Sequence, residues 1–565
     1  MPSRGGRTRL GEPTLQEPRA ARVTRRAVLG GFAGAAAASV LHASPSVAAP
    51  LGYEPSVFSL AVGALAGGSG ELTAPRRFEL VGVEWSSPPH VRIELRTRAR
   101  GGAWSRWASA STLGHEPDQP AARGALFGEA IWCGDAEYVE LRTSRPVRAV
   151  RLHFVSHRVP QGDAAAAALP LAQPVLDAGP GQPPIIARTA WAMGQAPPAM
   201  APYYGAIELA FVHHTQSLNG YSPGEVPAAL LAIFDYHRYV RGFWDIAYNF
   251  MIDDFGRIWE ARAGGIDRAV IGAHAGDYNA ISTGVAVLGS FIDIVPPPAA
   301  LDALERLLAW KMSLHGVPTH GRVTVVVDPA GAFYTPFAPG AHVSLPRVAG
   351  HRDGDSTDCP GDAFYARLPG LRPRITALAG SPAKLTLDTP PTMASAAVPV
   401  VLSGRLARLA GAPLAGAPIE LQSLPSGGTE STLARVTTAA DGFWSATVEL
   451  IHSASLRALH RLPPATVSVL AEVNVAPAIT LTVDSLAPLE VSGTISPGKR
   501  AATIDLYALG SPRRAPITSQ RTPVVQGRFA ARIATPRAGT YRLVARTAGD
   551  PLNAVGHSPA VVVTV

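Results

Sequence analysis

A central α/β domain, preceded by an all-β domain and followed by two β-sandwich modules, is the architecture this sequence predicts, and three observations predict it. The chain has 565 residues, room for three or four domains at about 150 residues each. Helical periodicity is confined to its middle third, whereas two-residue alternation dominates on either side. Gly 55 and Pro 52 mark many turns, while an apolar fraction of 47% is too high for a disordered chain.

Residues 1–49 read as an export signal. Arg25 and Arg26 stand directly before an apolar, Ala- and Gly-rich stretch ending near Leu41, and small residues at Val47 and Ala49 suit cleavage before Pro50. The pattern resembles a twin-arginine signal. The stretch is shorter than the roughly 20 residues a bilayer requires, so the mature protein is expected to be exported, extracellular or wall-associated, without a stable membrane span, and a monomer. The same segment removes the argument for nucleic acid. Residues 1–26 carry seven Arg and two Glu, which is +5 of the formal +8, and only three of the 50 basic residues are Lys. The remaining Arg are scattered among acids, with no basic face.

Residues 50–160 read as the β-rich domain, because Val91, Ile93 and Leu95 alternate with Arg92, Glu94 and Arg96, and Val150, Leu152 and Phe154 repeat the pattern. Trp104 and Trp107 are expected to fill its core rather than to stack on sugars, and Cys133 to end a buried strand. Residues 161–184, rich in Pro and Ala, read as a linker. Residues 185–380 form the α/β domain. Ser222, Pro223 and Glu225 form a capping box that opens a helix to about Val240. Tyr248 to Arg262 is a hairpin turning at Asp254 to Gly256, Thr283 to Leu288 is a buried strand, and a helix runs from about Ala299 to Leu314.

Residues 383–485 and 486–565 read as tandem sandwich modules of immunoglobulin-like size. Ser403 and Gly404 correspond to Ser492 and Gly493, and Gly442, Phe443 and Trp444 correspond to Gly527, Arg528 and Phe529. The offsets are 89 and 85 residues.

Two cysteines, Cys133 and Cys359, are too few for a disulfide framework in an exported chain. Cys359 instead follows His351 by eight residues, and His213 ends the apolar strand Leu209 to Val212. Together these three form a candidate metal shell. Two neutral imidazoles and one thiolate leave zinc with a net charge of about +1 and an open position, the arrangement that brings a bound water's pKa toward about 7.

The motifs Phe211 to Thr215, Asp245 to Phe250, Gly272 to Ala275 with Tyr278 and Asn279, and Gly350 to Asp353 through Thr357 to Gly361 occur in this order. They resemble the zinc-dependent N-acetylmuramoyl-L-alanine amidases that share a fold with peptidoglycan recognition proteins and phage T7 lysozyme. The resemblance spans Ile185 to about Arg374. It implies that His213, His351 and Cys359 bind Zn2+, that Tyr248 and Thr357 assist catalysis, and that His214 is a neighbour of the shell rather than a ligand. His214, Thr215, Asn249, His274, Tyr278, Asn279 and Arg352 are the candidates for contacting substrate. Thr357 stands where some members carry Lys, and a neutral donor gives a bond roughly half as strong.

The implied substrate is peptidoglycan, cut between N-acetylmuramic acid and the L-Ala of the stem peptide, with the β domains available to bind other wall polymers. The rival reading is peptidoglycan binding without cleavage. A wall protein with a vestigial α/β domain and a glycosidase are weaker rivals, the second because no carboxylate pair stands out. Asp353, Asp355 and Asp358 leave the general base unassigned. Gly321 to Val343, with Phe333, Tyr334 and Phe337, reads as an insertion that either walls the groove or packs down.

Overall fold

The structure, a computed structural model, describes residues 57–565 apart from 87–89, 112–113, 116, 119–124, 158–180, 193–195, 328–333, 426–429, 510–514 and 535–536. The expected export signal, most of the linker and Phe333 lie outside the described residues. Among the described residues no helix is long and apolar enough to cross a membrane.

Alternation along the first domain produces one sheet. Its strands run in the order Val57–Leu65, Val147–Val155, Gly68–Trp85, Ile131–Thr143, Ile93–Arg98 and Ala108–Ser109. Phe78, Leu80, Val83, Ile93, Leu95 and Phe154 are fully buried. Trp104 and Trp107 are only half-buried and do not join that core. The Arg96 guanidinium lies 4.9 Å and 4.8 Å from their rings, and that of Arg142 lies 4.3 Å from Trp107. The arginines that alternate with the core residues therefore capture the indoles on the outer face. Cys133 stands near the start of its strand, not the end, and both cysteines are free thiols.

The central sheet has the order Val348–Gly350, Leu209–His214, Ser282–Val287, Phe250–Ile252, Ile258–Glu260 and Ile185–Ile186. The first four are mutually parallel, and Ile258–Glu260 runs antiparallel to its hairpin partner. Strand alternation then sorts the side chains. Val212, Val285, Val287 and Ile252 face Leu304, Leu308, Leu371 and Ile375 from the helices Pro298–Leu314 and Leu368–Ala379. Met251, Ala286 and Leu288 face the helix Val226–Asp235, which continues as a π-turn through Val240. That helix begins three residues beyond Pro223, because the Ser222 hydroxyl and amide both turn back to Glu225 Oε2 at 2.7 Å and Pro227 takes the first turn.

The all-β domain does not hang from a linker. Leu80, Trp132 and Val155 share a core with Leu230, Phe234 and Tyr236 of the α/β domain. At Gly82 a Cβ would fall 2.2 Å from the Tyr236 ring, so the contact admits no side chain there.

Beyond residue 383 the chain forms two sandwiches, each with a core drawn from two sheets. The proposed repeat is visible in their interiors. Gly404 pairs with Trp444 and Gly493 with Phe529, and at each glycine a Cβ would meet that aromatic ring within 2.7 Å. The aromatic partner two residues after Gly442 or Gly527 thus fills the space that a missing side chain leaves.

Candidate functional site

Two parallel neighbours deliver the first histidines. Leu209–His214 carries His213 near its C-terminal end, and Val348–Gly350 beside it passes directly into a short 3-10 turn that begins with His351. The carboxyl ends of adjoining parallel strands are where α/β sheets gather ligands. Because neighbours on a strand point to opposite faces, His213 faces the site while His214 faces the core, where its Nδ1 accepts a hydrogen bond from the Phe291 amide at 3.1 Å.

Cys359 is brought back by the loop after His351, which is tied by the Arg352 amide donating to the Cys359 carbonyl at 3.1 Å. Its sulfur lies 3.7 Å from His213 Nδ1 and accepts from the His214 amide at 3.4 Å. Burial pushes the thiol's pKa upward, an effect that a neighbouring cation reverses. Burial first, and then the surrounding imidazoles of His351, His274 and His115, hold His213 far below the ordinary histidine range. Neutral imidazole is the ligand form.

A third histidine arrives from the other domain. His115 Nε2 lies 3.5 Å from His213 Nδ1, and one ligand atom each of His115, His213 and His351 falls within 4.8 Å of the others. The His115 and His351 rings stack at 5.0 Å. Each of the three has a polar neighbour at its remote nitrogen, within hydrogen-bond geometry for His351 and His213 and at ion-pair distance for His115. His351 Nε2 is 3.0 Å from Asp355 Oδ2, His115 Nδ1 is 2.8 Å from Glu129 Oε1, and His213 Nε2 is 3.2 Å from His274 Nδ1. His351 Nδ1 is buried without a hydrogen-bond partner. Metal-binding histidines carry this arrangement, one nitrogen held by an outer partner and the other left free.

These residues fit zinc. Bond lengths of about 2.0–2.1 Å to nitrogen and about 2.3 Å to sulfur imply tetrahedral edges of about 3.4 Å between nitrogens and about 3.6 Å between nitrogen and sulfur. About His213 Nδ1 the observed separations are 3.5 Å to His115 Nε2 and 3.7 Å to Cys359 Sγ, and the ligand atoms of the three histidines all lie within 4.8 Å of one another.

Tyr248 is buried, its ring edge-on to His115 at 5.1 Å and 5.5 Å from His213. Burial, followed by the negative charge of Glu129 and Cys359, raises its phenol well above the ordinary value. It is therefore a donor and not a base. Thr357 is half-buried, and its hydroxyl oxygen accepts from the Cys359 amide at 3.3 Å, which leaves its proton to give. Asp353 is occupied by the Gly350 amide at 2.8 Å and the Tyr365 hydroxyl at 2.6 Å.

The remaining predicted residues mostly build the walls. Asn249 joins the Val270 carbonyl and the Gly284 amide, both at 2.8 Å. Thr215 Oγ1 accepts from the Gly289 amide at 3.0 Å. Asn279 Oδ1 accepts from the amides of His274 and Ala275. His274 backs His213 and fits only because Gly272 and Gly284 lie against its ring, where a Cβ would fall 2.4 Å away. Tyr278 is buried against Phe211, and Arg352 pairs with Asp362 at 2.5 Å.

The described parts of the Gly321–Val343 segment, residues 321–327 and 334–343, pack down. The strand Arg322–Val326 pairs with His342–Pro346, Phe337 joins the cluster around Phe211, and Thr335 donates to the Gly354 carbonyl at 2.8 Å.

Sequence reasoning missed His115, Glu129 and Arg241. Arg241 donates to the carbonyls of His115 at 2.7 Å and Gly128 at 3.3 Å. Burial works to raise the Glu129 carboxyl, but His115 and then Arg241 hold it at about 2.

Residues 203–362 match the family described as N-acetylmuramoyl-L-alanine amidase, and residues 36–173 match one described as Rv3811 N-terminal galactose-binding domain-like. The chain is 28% identical to peptidoglycan-recognition protein LB of Drosophila melanogaster over 185 residues, 33% of this chain and 67% of that protein. It is 39% identical to peptidoglycan-recognition protein SA of the same organism over 105 residues, 18% of this chain and 49% of that protein. The chain thus spans between half and two-thirds of those relatives. Among solved structures, peptidoglycan recognition protein-LE in complex with tracheal cytotoxin is 25% identical, over 33% of this chain and 92% of that one, with a TM-score of 0.25.

Proposed function

The central domain of this chain belongs to the N-acetylmuramoyl-L-alanine amidase and peptidoglycan recognition protein family, and we propose that the protein is an exported zinc amidase that cuts peptidoglycan between N-acetylmuramic acid and L-alanine. One observation carries the reading. Ligand atoms of His213 and His351 lie within 4.8 Å of each other at the carboxyl ends of two parallel strands, Cys359 Sγ stands 3.7 Å from His213 Nδ1, and outer partners hold the remote nitrogens of both histidines, which supports His213, His351 and Cys359 as the ligand set. Binding relatives need only a groove, whereas a buried thiol beside two imidazoles is the donor set of a zinc site.

Zinc held by His213, His351 and Cys359 would supply a Lewis acid able to polarise a carbonyl and to lower the pKa of water to about 7. The chain's own residues do the rest. Asp355 and His274 fix the orientation of His351 and His213. Tyr248, kept protonated by burial, donates to the developing oxyanion, and Thr357 donates a second, neutral hydrogen bond. The Phe211 ring, 6.3 Å from His213 and 6.4 Å from His351, lowers the local dielectric and strengthens both bonds.

Arg352, half-buried on the loop before Cys359, is assigned to the substrate side, whereas the buried Asn279 and Thr215 shape the wall and His214 lies behind the shell. The two C-terminal modules are taken as immunoglobulin-like domains that bind or reach across wall polymer. The domains run 50–160, 185–380, 383–485 and 486–565.

The test is mass spectrometry of a muramyl tripeptide incubated with the zinc-loaded chain. Release of peptide beginning with L-Ala, lost on chelation and restored by zinc, is the expected result. Intact substrate in a sample holding one zinc per chain would instead make this a recognition protein.

A further inference from the structure

The site that an amidase must open is closed by a residue of the preceding domain. His213 and His351 are 0% exposed, and His115 and Cys359 are 2% exposed. No glycan or peptide reaches the shell in this arrangement. We propose that His115 is a fourth protein ligand of the metal held by His213, His351 and Cys359, so that the all-β domain fills the position where the reaction needs water or substrate. The inference rests on the zinc reading above.

Three features of the molecule support it. The first is distance. His115 Nε2 stands 3.5 Å from His213 Nδ1, the length of a tetrahedral edge derived above, and its ring stacks on His351. The second is chemistry. Glu129 places a buried carboxylate 2.8 Å from His115 Nδ1 and so occupies the remote side of the ring, which leaves Nε2 to the shell. Asp355 does the same for His351.

The third is the way the chain reaches the site. Gly114 has φ +148°, and a Cβ on it would lie 2.8 Å from His351 Cε1 and 3.2 Å from Thr357 Oγ1. Only a residue without a side chain lets the backbone come this close. Asp118, three residues after His115, accepts from the Trp244 amide at 2.9 Å and from Arg262 at 2.7 Å, and both of its partners belong to the α/β domain. Arg241 holds the His115 carbonyl. The close approach at Gly114 before His115, and the polar tethers at its own carbonyl and at Asp118 after it, therefore deliver one imidazole nitrogen to the shell.

The consequence is latency. A neutral imidazole exchanges for water or a carbonyl oxygen, whereas the thiolate does not do so readily. The protein thus stores its metal in a closed shell of three nitrogens and one sulfur, and substrate cleavage requires His115 to leave.

Cobalt(II) substitution of the full chain tests this without any turnover, with azide as the probe of an open position. The wild-type spectrum is expected to be four-coordinate, to show thiolate charge transfer and to ignore azide. His115→Gln keeps a donor toward Glu129 but removes the ligand. Its spectrum should shift with azide, and its metal should pass to a chelator at least about tenfold faster. Gly114→Ala retains the imidazole while denying the close approach, and should reproduce the azide shift. If azide perturbs wild type and His115→Gln equally, while Cys359→Ser loses the cobalt, the fourth ligand is wrong and the zinc reading stands. If the wild type takes up no cobalt, both fall.

Discussion

Two histidine–carboxylate pairs stand side by side in this molecule and were built in opposite ways. His351 and Asp355 are four residues apart on one turn, 3.0 Å from nitrogen to oxygen. His115 and Glu129 are fourteen apart in a different domain, 2.8 Å from nitrogen to oxygen. The physics is the same, since a carboxylate fixes the tautomer and aims the free nitrogen. The first pair sits on the loop that also carries Cys359, whereas the second lies wholly within the all-β domain and is brought beside His213 by domain docking. A local pair reaches the shell wherever its own loop folds, whereas the docked pair stands at the shell only while Leu80, Trp132 and Val155 stay packed against Leu230 and Phe234.

The largest effect expected from that contrast is on the element both pairs serve. Cys359→Ser should lower zinc affinity by more than about a hundredfold, a loss beyond the ten- to hundredfold typical of outer partners, as read by competition with a chromophoric chelator. Retention of zinc at wild-type affinity would remove the thiolate from the shell.

Next come the two carboxylates. Asp355→Asn should cost about ten- to a hundredfold in zinc affinity with little change in folding. Glu129→Ala removes the partner of His115 and of Arg241, both buried, and should destabilise the fold by about 3 kcal/mol, the lower bound for breaking a buried pair, as read from urea unfolding. Equal folding costs for the two variants would erase the distinction between local and docked pairs.

The pH dependence sharpens the same point. Glu129 is held at about 2 against an ordinary value of 4.5. A depressed carboxyl adds stability that is fully present above the unfolded value and is lost as pH falls through the folded one. The wild type should therefore lose stability between pH 4.5 and 2, and Glu129→Gln should flatten part of that slope. The smallest effect lies away from the site. Trp107→Ala removes a ring stacked on Arg96 and Arg142 on the outer face and should cost only about 0.5–1 kcal/mol. A larger loss would make the tryptophan part of the core.

What was legible in the sequence follows the same division. The apolar run Leu209 to Val212 ending in His213, the hairpin around Asp254 to Gly256, the helix near 299–314 and the His351-to-Cys359 spacing are all local patterns, and all reappear in the fold. The spacing alone could not say that Asp355, among three nearby aspartates, backs His351, because that depends on the turn the loop takes. Trp104 and Trp107 were misread because an aromatic pair looks the same in sequence whether it faces the core or a row of arginines. His115 carries no signal at all. It is one histidine after a glycine in a loop, and its meaning comes from contact with His213, 98 residues later.

The most direct test of the whole account is the initial rate of peptide release from a muramyl tripeptide by the zinc-loaded chain, compared among wild type, His115→Gln and Cys359→Ser. The account predicts the fastest release from His115→Gln, slower release from the wild type and none from Cys359→Ser, with every released peptide beginning in L-Ala. Intact substrate from His115→Gln with one zinc bound per chain, or equal rates from wild type and Cys359→Ser, would contradict it.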